Sequence, residues 1–268
     1  MRGVAVIGNL TRDVVDGGSP RVGGAPFHAA RALRLLGGRT RVVTRCAPAD
    51  RRSLLSAVIA LGVPVFWVQG ETTASFELRY AGDEAGEKRE LTLVDAGDRW
   101  RVEDVREVGR AEWVQVGALT RDEFSPEVLA ALARDRRVAL DGQALVRPSQ
   151  PGPVELDADF DPEVLRHVSV LKLAEEEAEV LGGAEALAAL GVPEVIVTLG
   201  SRGALLLAAG RRDVIPVRRL EGDVDPTGAG DAFLAGYVWA RSCGHRPVSA
   251  ARHAGSTAAR ALELARPA

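Results

Sequence analysis

The sequence predicts a three-layer α/β/α sandwich with a small β lid, and three patterns predict it. Short, continuously apolar runs closed by Gly or Asp alternate with segments whose apolar residues recur at helical spacing. Between positions 72 and 95 this rhythm gives way to period-two patterning around a Gly-rich turn, the mark of an antiparallel hairpin with one wet face. No internal repeat, coiled coil or low-complexity linker interrupts the chain, so residues 1-268 read as a single domain.

Composition narrows the functional classes. A formal charge of −3 over 268 residues argues against a general nucleic-acid binder, whose phosphate contacts need a basic surface. The two cysteines, Cys46 and Cys243, lie in no metal-ligand spacing, which suits a reducing cytoplasm. The opening Met1-Arg2-Gly3-Val4-Ala5-Val6-Ile7-Gly8 is too short an apolar run for a signal segment or a membrane span and reads as a first strand.

The elements follow in order. Val4 to Ile7 is a buried parallel strand, so Asn9, Thr11 and Asp13 fall just past its carboxyl end, where ligands bind in open α/β sheets. Asp16-Gly17-Gly18-Ser19-Pro20 turns between Val14-Val15 and Val22, giving a small hairpin within 13-24. Gly23-Gly24 leads into a helix from Ala25 to Leu36, stopped by Gly37-Gly38. Val42-Val43 is the second core strand and Ser53 to Leu61 a helix. The hairpin within 72-95 reads either as part of a lid, joined by the one near Asp16, or as an edge of the main sheet.

Alternation resumes with Trp113 to Gly117, a helix from Pro126 to Ala133, and Val138 to Asp141. Residues 142 to 159, with Pro148, Pro151 and Pro153, read as a surface loop. Val168 to Lys172 is a strand, Glu175 to Leu181 a helix, Glu194 to Gly200 a buried strand, and 204 to 217 a β ribbon. The chain closes on an Ala-rich helix from Val248 to Leu264.

The chemistry concentrates in Asp225-Pro226-Thr227-Gly228-Ala229-Gly230-Asp231, which feeds the apolar helical pattern of Ala232 to Val238. A Gly-rich turn at a helix N-terminus leaves backbone N–H groups unpaired and adds the positive end of the helix dipole, so it suits an anion. Asp231 beside it has two readings. It caps the helix, or it handles a proton of a bound substrate.

Taken together, these motifs resemble the ribokinase-like (PfkB) family of carbohydrate and nucleoside kinases over essentially the full length, with its Rossmann-like fold. The C-terminal signature, Asp225 to Phe233 with Gly236 following, is the most specific match. The resemblance implies that Gly228, Ala229 and Gly230 form an anion hole and that Asp231 is the base that takes the proton from an acceptor hydroxyl. It implies ATP and Mg²⁺, with a monovalent cation near Asp225. Val197 to Gly203 is similar to the family's nucleotide-binding strand end, which places Thr198, Gly200 and Gly203 on ATP, together with Thr227. Lys172 to Glu177 is similar to its Asn-x-x-Glu element and puts Lys172 near the nucleotide and Glu177 near the metal. Ala174 departs from the pattern where the family usually has Asn. Arg252 to Ala258 resembles the helix flanking the adenine, with His253 and Ser256 as its polar members.

On the acceptor side the resemblance places Asn9, Asp13, Gly23 and Gly24 at the substrate, with His28 where Asn is frequent. Asp141-Gly142-Gln143-Ala144-Leu145-Val146-Arg147 is similar to a loop of myo-inositol-kinase-like members, making Asp141, Gln143 and Arg147 substrate contacts; Arg147 reads equally as a loop cap. The expected activity is transfer of the γ-phosphate of ATP to a hydroxyl of a sugar or polyol, inositol-like members included. A nucleoside kinase and a non-catalytic nucleotide- or sugar-sensing homologue are the alternatives. A dehydrogenase is disfavoured because no Gly-x-Gly-x-x-Gly follows the first strand. A lid edge also offers a surface for a homodimer.

Overall fold

The computed structural model describes residues 3–37, 40–83, 86–218, 220 and 225–265. Its strands are β1 (Val4–Asn9), β2 (Thr11–Val15), β3 (Arg21–Gly23), β4 (Thr40–Cys46), β5 (Val65–Gln69), β6 (Ala74–Asp83), β7 (Gly86–Asp95), β8 (Trp113–Val116), β9 (Arg137–Asp141), β10 (Gly152–Pro153), β11 (Val168–Ala174), β12 (Glu194–Thr198), β13 (Ala204–Ala208) and β14 (Arg211–Ile215). Its helices are α1 (Ala25–Leu35), α2 (Arg51–Ile59), α3 (Pro126–Ala133), α4 (Gln143–Val146), α5 (Glu175–Val180), α6 (Gly183–Ala189), α7 (Ala229–Ser242) and α8 (Pro247–Glu263).

Among the described residues a nine-stranded sheet runs β14-β13-β12-β11-β9-β8-β1-β4-β5. It is parallel from β12 to β5, and β13 and β14 add an antiparallel ribbon at one edge. Its central strands are apolar on both faces because helices cover both. On one face Ile7, Val116, Leu140 and Leu171 pack with α3 and the short helical turns; on the other Val6, Ala139, Val170 and Ile196 pack with α1, α7 and α8. Close approach of α7 and α8 uses Gly236, where a methyl group would lie 2.8 Å from Cβ of Thr257. No helix of the described residues is long and apolar enough to cross a membrane.

A second, five-stranded sheet, β10-β7-β6-β2-β3, stands over the carboxyl ends of the main strands. Phe76, Leu78 and Leu93 make its apolar underside with Leu119 of the main body. The hairpins within 13-24 and 72-95 supply four of its strands, so they build a lid and not an edge of the main sheet. The tip of the β6–β7 hairpin at 84–85, and Gly38 after α1, lie outside the described residues.

One expectation needs correction, and two elements carried no expectation. Residues 142–159 are not only a surface loop: α4 is buried at Ala144, Leu145 and Val146, and β10 pairs with β7 in the lid. Prolines obscured both, because β10 lies at a sheet edge where proline is tolerated. β5 was unexpected; its Val65-Phe66-Trp67-Val68 is half-buried at the sheet edge and carries no alternation. The helix expected from Glu175 to Leu181 is α5, and a further helix, α6, follows it after Gly182, which sits at φ +88.

Candidate active site

The Gly-rich turn feeds α7 with a geometry open to only a few residue types. Gly228 is the N-cap residue at φ +78, and a methyl group there would collide with the His28 ring. Asp225 accepts the Thr227 N–H through Oδ1 at 2.9 Å and shapes the turn. Among the described residues no side chain caps α7, so Asp231 in its first turn does not act as the cap; Asp231 lines the cleft beside Gly228 and Gly230. The Asp231 carbonyl accepts from Nε2 of Gln115 at 3.3 Å, which ties the helix start to β8.

Beneath this turn lies a buried charge cluster. Lys172, at the end of β11, places Nζ 2.8 Å from Oδ2 of Asp141 at the end of β9. The same ammonium lies against the turn, since a methyl group on Gly230 would be 2.8 Å from it. Glu177 accepts the N–H of the N-cap residue Ala174 through Oε2 at 2.8 Å, the half of a capping box that an Ala N-cap allows, and its Oε1 faces Nη2 of Arg147 at 3.6 Å. Lys172 and Arg147 therefore each face another carboxylate, and Asp231 makes no ion pair within 4 Å among the described residues.

The electrostatics follow from that count. Burial pushes the Asp231 carboxyl up to about 7, with Asp141 adding to the shift and Lys172 and Arg147 opposing it. Burial works against the Lys172 charge, but Asp141, Glu177 and Asp231 outweigh it and hold the ammonium above its ordinary value. His28 is driven down to about 4 by burial and by Arg31, against the pull of Asp225, so its imidazole is neutral at pH 7.

Two cavities meet at this point. The first, about 460 Å³, is walled by Thr11, Asp13 and Gly24, by Phe76, Leu78 and Leu91 of the lid, by Gln143 and Arg147, and by Lys172, Glu177, Thr227, Gly228, Gly230 and Asp231. The second, about 450 Å³, lies across the turn, among Thr198, Gly200, Gly203, Val217, Ala229, Phe233, Gly255, Ala258, Ala259 and Leu262. Thr198, Pro226, Gly230 and Leu262 border both. The arrangement thus sets a Gly-rich turn at a helix N-terminus between a lid-covered polar chamber and an apolar slot, with Asp231 on the chamber side.

Several expected residues stand elsewhere. Asn9 is buried and does not line the chamber; its Nδ2 donates to the Asp98 carbonyl at 3.0 Å. Gly23 faces Asp13 and Thr11 and leaves room for the Asp13 side chain without lining the chamber. Asp141 lies below the floor as the partner of Lys172. His253 and Ser256 are exposed on the far side of α8; Gly255, Ala258, Ala259 and Leu262, one helical stripe, face the slot instead. That stripe was visible as periodicity, but the small residues hid it among helix-packing positions. The lid leucines and Leu119 carried no local signal, because only the fold brings them over the polar groups. Arg31 and Phe27, whose guanidinium and ring approach at 5.6 Å, also line the chamber.

Comparison with known proteins agrees with this fold. The sequence pattern of the pfkB family carbohydrate kinases matches residues 11–265. An inositol 3-kinase of Oryza sativa subsp. japonica is 35% identical over 179 residues, which are 62% of this chain and only 43% of that relative's length. A pyrophosphate-dependent ribokinase-family kinase, solved with a pyrophosphate analogue and myo-inositol, superposes with TM-score 0.81 at 25% identity, covering 97% of this chain and 95% of its own. Arabidopsis thaliana ribokinase, solved with ribose and ATP, superposes with TM-score 0.73 at 21% identity over 99% and 94% of the two chains. With its signature turn, its lid and a match along nearly its whole length, the chain belongs to the pfkB family of carbohydrate kinases.

Proposed function

We propose that this protein transfers the γ-phosphate of ATP to a hydroxyl of a small polyol, with an inositol-like ring as the best-supported acceptor. The observation that carries this is the position of Asp231 in the wall of the first cavity, directly after Gly230, which borders both cavities. In phosphoryl transfer the protein mainly positions the groups and offsets charge. The turn receives the transferred phosphoryl, the Lys172 ammonium adds charge below it, and Asp231 accepts the proton of the attacking hydroxyl. A carboxyl near 7 is ionised often enough at neutral pH and basic enough to take that proton late.

The chamber suits a ring whose rim carries hydroxyls and whose face carries C–H bonds. Asp13, Gln143 and Arg147 offer polar groups at the side, while Phe76, Leu78, Leu91 and Leu119 form an apolar roof. The inositol 3-kinase relative and the myo-inositol-bound neighbour support the same acceptor class. A nucleoside would need a stacking partner for its base, and Phe27 and Phe76 are the aromatic residues of the chamber. A sensing homologue would bind ATP and yield no phosphorylated product.

The slot supports ATP as donor, because its Val217, Gly255, Ala258, Ala259 and Leu262 lining fits a flat base, with Arg218 as the charged residue beside it. Pyrophosphate is the second reading, favoured by the donor of the myo-inositol-bound neighbour. For Mg²⁺ the donors fit an ion carried on phosphates with its waters: Glu176 and Glu177 line the chamber, and the described residues form no three-ligand acidic cage. When bound, the ion offsets charge on the phosphates. A monovalent cation beside Asp225 would screen the same turn. We place the enzyme in the cytoplasm, in keeping with its two free thiols.

The test is product formation from a panel of cyclitols, sugars and nucleosides with ATP or pyrophosphate, followed by mass spectrometry. Phosphorylated cyclitol from ATP, abolished in Asp231→Asn, is the expected result. Undiminished turnover in that variant would remove Asp231 as the base.

A further inference from the structure

The crossings between the main sheet and the lid gather around the end of β1. Asn9 is the last residue of β1 and Thr11 the first of β2. Nδ2 of Asn9 donates to the Asp98 carbonyl at 3.0 Å, on the way out of β7. Oδ2 of Asp98 in turn accepts the N–H groups of Glu71 at 2.6 Å and Thr72 at 3.3 Å, on the way into β6. The crossing from β3 to α1 presses on the same point, since a methyl group on Gly24, at φ +88, would lie 2.5 Å from the Asn9 carbonyl oxygen.

The backbone N–H of Asn9 is held by a residue that belongs to neither β1 nor the lid. Glu123, 3% exposed, follows β8 in a short helical turn. Its Oε1 accepts the Asn9 N–H at 3.2 Å, and its Oε2 accepts the Leu119 N–H at 2.6 Å. Leu119 packs with Phe76, Leu78 and Leu93 and lines the acceptor chamber. One side chain thus bonds both the joint from which the lid springs and a wall of the acceptor chamber.

We propose that Glu123 is a positioning residue for acceptor capture: its carboxylate sets the joint between sheet and lid and the place of the Leu119 wall. The proposal rests on the kinase reading above only in taking the chamber under the lid as the acceptor's. The chemistry explains why a carboxylate stands there. Its two oxygens accept from two separate segments at once, whereas an apolar side chain would fill the space and leave both N–H groups buried and unpaired. Burial pushes the Glu123 carboxyl up to about 7 against the pull of the Leu119 and Asn9 amides, so the fold tolerates an unfavourable buried charge to keep that double contact.

Glu123→Gln keeps the shape but sets an NH₂ group against one of the two N–H donors. In the full-length enzyme its KM for the acceptor should rise about tenfold, with kcat and the donor KM within about twofold of wild type. Asn9→Ala, which cuts the link to Asp98 without touching Glu123, should give the same split in smaller measure. Amide exchange by mass spectrometry should show faster exchange at Glu71 and Thr72 in Glu123→Gln, beyond its direct contacts, while β9 and β11 stay protected. An unchanged acceptor KM together with a lower Tm would reduce Glu123 to a structural residue and overturn the proposal. If wild type phosphorylates no acceptor, the kinase reading has failed. The exchange result then decides the joint: faster exchange at Glu71 and Thr72 supports it, and unchanged exchange overturns it.

Discussion

Asp231→Asn should do two opposite things, and both follow from one buried charge. The carboxyl is held at about 7 against an ordinary value of 3.8, chiefly by burial. A shift of that size corresponds to roughly 4 kcal/mol at pH 8. The side chain opens on a cleft that water enters, so about half, roughly 2 kcal/mol, is the working figure. The sign is destabilising at high pH: a raised carboxyl favours the folded state below its unfolded pKa, and that favour is lost as pH rises through about 7. Asparagine never ionises. The variant should therefore melt roughly 4–8 °C higher than wild type at pH 8, with the gap closing near pH 4. Its turnover should fall by about 10² to 10⁴, and wild-type kcat/KM should climb with pH through about 7. Paired melting curves at pH 4, 6 and 8 and a pH–rate profile measure both. A variant that melts at or below wild type at pH 8 would refute the charge count in the cluster, whatever its activity.

Gly228→Ala should lose most of its activity and about 1–3 kcal/mol of stability, since it forces a methyl group onto the His28 ring at positive φ; denaturant unfolding and turnover check both. Ala258→Trp should fill the apolar slot and raise the KM for ATP more than tenfold while leaving any pyrophosphate-driven rate unchanged, so steady-state kinetics with each donor separate the two readings. Lys172→Met should leave Asp141 buried without its cation and destabilise the fold by about 3–5 kcal/mol, and Lys172→Met with Asp141→Asn should recover part of that loss in urea melts. Arg241→Met should cost a similar amount at a site remote from the chemistry, because Glu194 then keeps only the Tyr237 hydroxyl at 2.6 Å; its KM values should match wild type.

Comparing chain and fold shows where local pattern carries information. The strands of the main sheet were legible because burial on both faces leaves continuous apolar runs, as in Val4 to Ile7 and Val195 to Val197. The lid was legible because one wet face writes alternation into residues 75–80 and 90–94. β5 and β10 were not, since an edge strand is half-buried and tolerates proline. The Gly228 turn could be read directly, because positive φ and close approach demand glycine.

The side-chain assignments divide along the same line. Lys172 lies near the end of β11, Gln143, Glu177 and Asp231 in the first turns of α4, α5 and α7, and Arg147 just past α4, and connectivity alone brings them together at the carboxyl edge of the sheet. Whether a residue there faces ligand or the packing below depends on angles of less than one helical turn. That is why Asp141 lies under Lys172, why Asn9 serves the lid joint, and why α8 presents Ala258 and not Ser256 to the slot. The sequence by itself determined the alternating fold, the lid and the Gly-rich turn before α7, because backbone conformation and burial are written in local periodicity. Only the tertiary structure decided which carboxylate lacked a cation and which apolar residues roofed the chamber. Charge balance and enclosure are sums over neighbours that lie far apart along the chain.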